Sequence, residues 1–158
     1  MICEDIGDLM PQTRAGSSWM GLDLGTKTIG VAVSDRLLSS ATPLHTIRRV
    51  KFSKDAEALL QIISDREIGA IILGLPRNMD GSEGPRCQST RAFVRNLARL
   101  TDLPIGYWDE RLSTVAAERA LLEADTSRKR RAEVIDHVAA GYILQGALDR
   151  ARHIRTVT

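Results

Sequence analysis

Gly21-Leu22-Asp23-Leu24-Gly25-Thr26-Lys27-Thr28-Ile29-Gly30-Val31-Ala32-Val33-Ser34-Asp35 reads as two strands joined by a tight turn. Apolar runs flank Gly25-Thr26-Lys27, and β-branched residues dominate the second run. The first run carries one carboxylate, Asp23, among residues otherwise suited to a buried strand. An ionised carboxylate in such a place is costly unless something pairs with it. A divalent cation or the amides of the turn would serve. A phosphate-binding loop is disfavoured, because it needs Gly-x-x-x-x-Gly-Lys-[Ser/Thr] opening a helix. Here Thr26 separates Gly25 from Lys27, and strand-forming residues follow.

Outward from this hairpin, the 158 residues suit one domain. A net charge of +2 permits nucleic-acid binding without requiring it. Cys3 and Cys87 show no metal-ligand spacing and read as free thiols of a reducing cytosol. No run approaches the roughly 20 apolar residues of a membrane span. Residues 1–18 are polar, broken by Pro11 and Gly16, and lack the basic and apolar regions of a signal peptide. They read as an N-terminal extension, weakly ordered or carrying one short helix, before a single domain over 19–155. The aromatic residues are scattered and offer no platform for stacking bases.

Strands are expected at Trp19 to Leu24, Ile29 to Ser34 and Ala41 to Arg48. Phe52 to Arg66 has a helical apolar period, with Ser53 as its cap. Ala70 to Leu73 is a continuous apolar run, as in a strand buried on both faces. Arg86 to Leu100 reads as a helix with Phe93, Leu97 and Leu100 inward, and Pro104 to Trp108 as the last strand. Helices from Ser113 to about Ala124 and from Ala132 to Arg150 close the chain. This order implies an α/β fold with a mixed five-stranded sheet, three antiparallel strands then two parallel, flanked by helices.

Three carboxylate positions stand out. Asp23 lies in a strand. Asp109 and Glu110 leave the last strand, where α/β sheets usually place their chemistry. Asp136 shares a helix face with Ala139, Ala140 and Ile143, a face composed for the core. Oxygen donors without His or Cys suit Mg²⁺ or Mn²⁺ rather than zinc. Two such ions about 4 Å apart would activate a water and stabilise a leaving oxygen in phosphodiester cleavage.

The chain resembles the YqgF family, once described as Holliday junction resolvases and now linked to maturation of the 5′ end of pre-16S ribosomal RNA. The segments that carry the resemblance are Gly21 to Asp35, Leu73 to Pro76 with Asn78 to Pro85, Asp109-Glu110-Arg111-Leu112-Ser113-Thr114, and Asp136 to Gln145. The resemblance implies an RNase H-like fold, with Asp23, an acid of the Asp-Glu-Arg motif and Asp136 as the catalytic, metal-holding set. Of the adjacent acids Glu110 is favoured and Asp109 is the alternate, since successive residues leaving a strand point to opposite faces. The first motif also resembles the phosphate loop of actin-like ATPases and sugar kinases, but those enclose a nucleotide between two domains, and this chain has the length of one.

Basic residues flank these positions. Lys27 follows Asp23, Arg111 follows Glu110, and Arg128, Lys129 and Arg130 lead into the helix of Asp136. Such cations would hold phosphates against the repulsion of an acidic centre. Arg77, Asn78 and Arg86, in or beside the long loop from Pro76 to Pro85, would grip a sugar-phosphate backbone. Arg91, Arg95 and Arg99 form a basic stripe on one helix. His137 points away from Asp136 and reads as structural.

The expectation is a metal-dependent nuclease of the cytoplasm acting on structured RNA, a ribosomal RNA precursor. The alternatives are a resolvase of four-way DNA junctions and a non-catalytic RNA-binding module. The acting form is a monomer or a homodimer.

Overall fold

The computed structural model describes residues 1–112 and 128–157, the side chains of 128–136 excepted. In chain order it has β1 (Ile2–Cys3), α1 (Ile6–Leu9), β2 (Ser18–Leu24), β3 (Thr28–Ser34), β4 (Ala41–Arg48) and α2 (Phe52–Asp65). Then come β5 (Ile68–Leu75), α3 (Pro85–Ala98), β6 (Ile105–Asp109) and a long helix, here α4 (Arg128–Val157). The strands form one sheet in the order β1-β6-β5-β2-β3-β4. β2, β3 and β4 pair antiparallel, whereas β5 pairs parallel with β2 and with β6.

Side-chain alternation divides the core into two layers. Met20, Leu22 and Leu24 of β2 join Ile71, Leu73 and Leu75 of β5 in the layer containing Ala56 and Leu59 of α2 and Phe93 and Leu97 of α3. Trp19, Ala70, Ile72 and Trp108 face the other way, into a layer with Ala140, Ile143, Leu144 and Leu148 of α4. β5 is buried along its whole length, as its continuous apolar run requires.

α4 runs antiparallel to β2, and three contacts with β4 fix its phase. His137 Nδ1 lies 2.9 Å from Thr46 Oγ1. Gly141 packs on Pro43, and Gln145 accepts a hydrogen bond from the Ala41 amide at 2.9 Å. The helix can lie this low because Gly21 offers no side chain. A Cβ there would stand 2.6 Å from Leu144 Cβ and 3.0 Å from the Ala140 carbonyl oxygen.

The structure departs from the sequence expectations in five places. The sheet has six strands rather than five, because Ile2 and Cys3 extend it by pairing parallel with β6. The first residues carry the one short helix expected as the alternative to a weakly ordered extension, and Ile6 and Leu9 of that α1 are buried against the α4 layer rather than standing apart from the domain. α2 begins after Lys51 with no side-chain cap, so Ser53 lies inside the helix rather than capping it. Leu100 is half-exposed beyond the end of α3 and not inward. The last helix starts at Arg128 and reaches Val157, beyond the expected bounds on both sides. The helix expected from Ser113 to Ala124 lies outside the described residues.

Candidate active site

Asp23 is the penultimate residue of β2. Alternation along the strand turns its side chain to the α4 face, in line with Trp19 and Gly21. It is only 5% exposed. Its neighbour across β3 is Gly30, and Gly30 in turn faces Thr46 of β4. Thr46 is the residue that meets His137, so this row of the sheet lies under the part of α4 that includes position 136. The side chain of Asp136 itself is outside the described residues.

Glu110 approaches the same place from β6. It opens a short 3-10 turn directly after the strand and is 8% exposed. Registers on either side of β5 align Leu22 with Leu73 and Gly74 with Trp108. Gly74 therefore lies between the strand carrying Asp23 and the strand leading to Glu110. A Cβ on Gly74 would stand 2.9 Å from Glu110 Oε2 and 2.5 Å from Ile143 Cδ1. The missing side chain lets the Glu110 carboxylate reach across β5 beneath α4. Glu110 thus reaches over Gly74, and Asp23, also largely buried, lies on the same face at the end of the neighbouring strand β2.

Asp109 does something else. It continues the face of Tyr107, opposite to that of Trp108. Arg111 donates to it from its amide at 3.0 Å and from Nη2 at 2.7 Å. These bonds hold the Asp109 carboxyl below its ordinary range. The Arg111 guanidinium lies against Gly81, where a Cβ would be 3.4 Å from Nη1. Arg111 therefore bridges the end of β6 to the loop after β5.

That loop is closed on itself. The Asn78 amide donates to the Ser82 carbonyl and the Gly81 amide to the Asn78 carbonyl, both at 2.9 Å. Gly81 adopts φ +89°, a conformation that favours glycine. Arg77 lies 3.5 Å from Glu83, while its buried Nε has no hydrogen-bond partner among the described residues. Lys27 is exposed at the tip of the β2–β3 turn, and Arg86 is exposed in the first turn of α3. Arg128, Lys129 and Arg130 lie in the first turn of α4, with side chains outside the description.

Sequence reasoning missed the role of Arg91. It is no free member of a basic stripe: Nε donates to Glu83 Oε1 at 2.6 Å and Nη1 to Glu4 Oε2 at 3.0 Å. Its guanidinium also stacks 4.8 Å from the Tyr107 ring centre. One side chain therefore joins α3, the loop, the N-terminal segment and β6. No local pattern signals this, since Glu4 is 87 positions away.

The Asp23–Glu110 pair suits a hard divalent cation by its chemistry, two carboxylates of low exposure with no thiolate or imidazole in the pair. Among the described residues no group of three His, Cys, Asp or Glu gathers to hold a metal.

Comparison with known proteins follows this geometry. Residues 17–150 match the family model described as "RuvX: Holliday junction resolvase". A protein of Ruegeria sp. (strain TM1040), named "Putative pre-16S rRNA nuclease", is 74% identical over 97% of this chain and 96% of its own length. A protein of the same name from Paracoccus denitrificans is 70% identical over 98% of both chains. Among solved structures, Thermus thermophilus RuvC superposes with a TM-score of 0.52 at 15% identity, over 89% of this chain and 97% of that one. The same protein bound to a Holliday junction gives a TM-score of 0.51 at 16% identity. These last two likenesses establish shared architecture, a RuvC-like, RNase H-like sheet with its helices. By sequence and by fold the chain belongs to the RuvX family, the YqgF nucleases of RNase H-like fold.

Proposed function

We propose that the chain hydrolyses phosphodiester bonds of RNA at the Asp23–Glu110 centre, with divalent cations as cofactors, and that its substrate is the 5′ region of pre-16S ribosomal RNA. The observation that carries this is the pair of largely buried carboxylates on the α4 face at the carboxyl end of the sheet, Asp23 on β2 and Glu110 reaching over Gly74 from β6. The names of relatives at 70% identity and above support the choice of RNA. Asp23 and Glu110 would hold Mg²⁺ or Mn²⁺ with Asp136 as the third carboxylate, and such ions would supply Lewis-acid activation of a water and charge stabilisation for the leaving oxygen. The chain's own contribution is positional. Gly74 clears the space, β2 and β6 fix the carboxylates on rigid strand ends, and burial beneath α4 keeps bulk water from competing. Lys27, Arg77, Asn78 and Arg86, with 128–130, would hold phosphates on either side. Arg111 acts through Asp109 and the loop, as a positioning residue. The protein works as a monomer or homodimer in the cytoplasm.

A second reading, cleavage of four-way DNA junctions, draws on the description of the family model. Labelled pre-16S fragments and a DNA junction, incubated side by side with Mg²⁺, Mn²⁺ or EDTA, separate the two. RNA is expected to be cut with either metal and spared in EDTA. Asp23→Asn is expected to lose cleavage by orders of magnitude while its circular-dichroism spectrum keeps the wild-type shape. Cleavage of the junction alone would establish the second reading, and full activity in Asp23→Asn would overturn both.

A further inference from the structure

A cavity of about 540 Å³ opens where the N-termini of α2 and α3 converge beside the end of β2. Its wall contains Gly25 and Thr26 from the β2–β3 turn, Arg49 and Lys51 from the entry to α2, and Arg86 and Ser89 from α3. We propose that this cavity binds a backbone phosphate of the nucleic-acid strand cut at the Asp23–Glu110 centre, and so sets how that strand lies across it. The assignment rests on the nuclease reading above and gathers Arg86 of that reading with Arg49 and Lys51 into one defined anchor.

Charge is the first reason. Three cationic side chains line the cavity against one carboxylate, Asp55. That carboxylate is already engaged, accepting from the Val50 amide at 3.1 Å and lying 3.9 Å from Arg49 Nε. Arg49 is fixed in place: Nη1 donates to the Gly25 carbonyl at 2.6 Å, and the guanidinium packs 5.9 Å from the Phe93 ring centre. Lys51 and Arg86 are exposed and make no ion pair among the described residues. An anion entering here meets one preset guanidinium and two uncommitted cations.

The backbone is the second reason. Neither α2 nor α3 has a side-chain cap; their N-cap residues are Lys51 and Gly84. First-turn amides at both helix starts therefore lack an intrahelical acceptor. The partial positive charges of two helix N-termini add to those of the side chains. Pro85 at the start of α3 presets the turn without needing an acceptor of its own.

Position supplies the third. Leu24 and Gly25, which border the cavity, directly follow Asp23. One strand residue advances about 3.3 Å and reverses the face. The cavity and the carboxylate pair thus lie on opposite faces of the same strand end, and a nucleic-acid strand crossing the β2–β3 turn meets both. The volume far exceeds the roughly 30 Å³ of a water, leaving room for a phosphate with part of its sugar.

The test reads binding in EDTA, apart from cleavage. Fluorescence anisotropy with a labelled single-stranded RNA is measured across a salt series. The proteins are wild type, a Lys51→Ala/Arg86→Ala double variant, and Lys54→Ala, an exposed residue of α2 outside the cavity wall. Inorganic pyrophosphate is titrated into each protein by calorimetry. In the double variant the slope of log affinity against log salt is expected to fall by about 0.7 to 1.4, one to two phosphate contacts on a single strand. Lys54→Ala should match wild type. An unchanged slope in the double variant overturns the assignment. Pyrophosphate binding that the double variant loses, with RNA binding unaltered, also overturns it and assigns the cavity to a free phosphate ligand. Wild type that binds neither probe overturns it as well. Wild type that binds RNA through the cavity yet cuts nothing would leave the cavity standing and remove the nuclease reading.

Discussion

At the scale of single residues, two glycines decide how closely α4 approaches the carboxylates. Gly21 admits the helix onto β2, and Gly74 admits Glu110 and Ile143 over β5. Gly21→Ala would put a Cβ 2.6 Å from Leu144 Cβ, inside any van der Waals distance, so α4 must shift outward. Overpacking of this kind costs about 1–3 kcal/mol. Gly84→Ala is the comparison without a clash, since its Cβ would meet nothing nearer than Asn78 Nδ2 at 3.8 Å and it carries only the smaller cost of alanine at a helix N-cap. Urea unfolding of the two variants is expected to show a clear loss for Gly21→Ala and a near-wild-type midpoint for Gly84→Ala. Equal midpoints would mean that α4 does not rest on Gly21.

Elements are joined by a few long-range polar contacts. Arg91 of α3 is the strongest of these, because it ties Glu83 of the loop and Glu4 of the N-terminal segment to one guanidinium. Both carboxylates remain partly open to water, which weakens each pair relative to a buried one. Arg91→Ala is expected to cost about 1–2 kcal/mol. The diagnostic result is local: amide exchange should quicken over residues 1–9 and 76–84 while β2 and β5 keep their protection. Uniform quickening would show that Arg91 serves global stability and not the loop.

Across the whole molecule, several carboxyls are held below their ordinary range in the folded state. Ser39 donates to Asp35, Ser82 to Asp80, Arg91 to Glu83 and Arg111 to Asp109. A depressed folded value means that the unfolded chain binds protons first as pH falls. The stability these groups contribute is complete above the ordinary carboxylate range, near pH 4, and drains away as pH drops through their folded values. Urea midpoints should therefore hold between pH 7 and pH 5 as far as these groups are concerned and fall by pH 3. A midpoint independent of pH down to 3 would contradict this. The N-terminal segment belongs to this scale too, because β1 covers the outer edge of β6, an edge that would otherwise offer unpaired backbone.

The sequence by itself determined the elements that have their own periodicity. The β2–β3 hairpin, the buried β5 and the amphipathic α2 are legible because alternation and helical period are local properties of side chains. Residue type likewise drew attention to Asp23 and Asp136 as acids in apolar patterns and to Asp109 and Glu110 as acids leaving the last strand, the catalytic set itself being what the family resemblance implies. Alternation also separated Glu110 from Asp109, which the structure turns to different faces. Tertiary structure alone decided the rest. The short β1 pairs with β6 from over 100 residues away, and a two-residue strand carries no pattern of its own. Arg91, Arg95 and Arg99 look alike in sequence, yet only Arg91 lies where Glu4 and Glu83 come together. The cavity between α2 and α3 draws its charge from segments that meet only after the sheet is built. Periodicity is written along the chain, whereas convergence depends on which distant segments the folded core holds side by side.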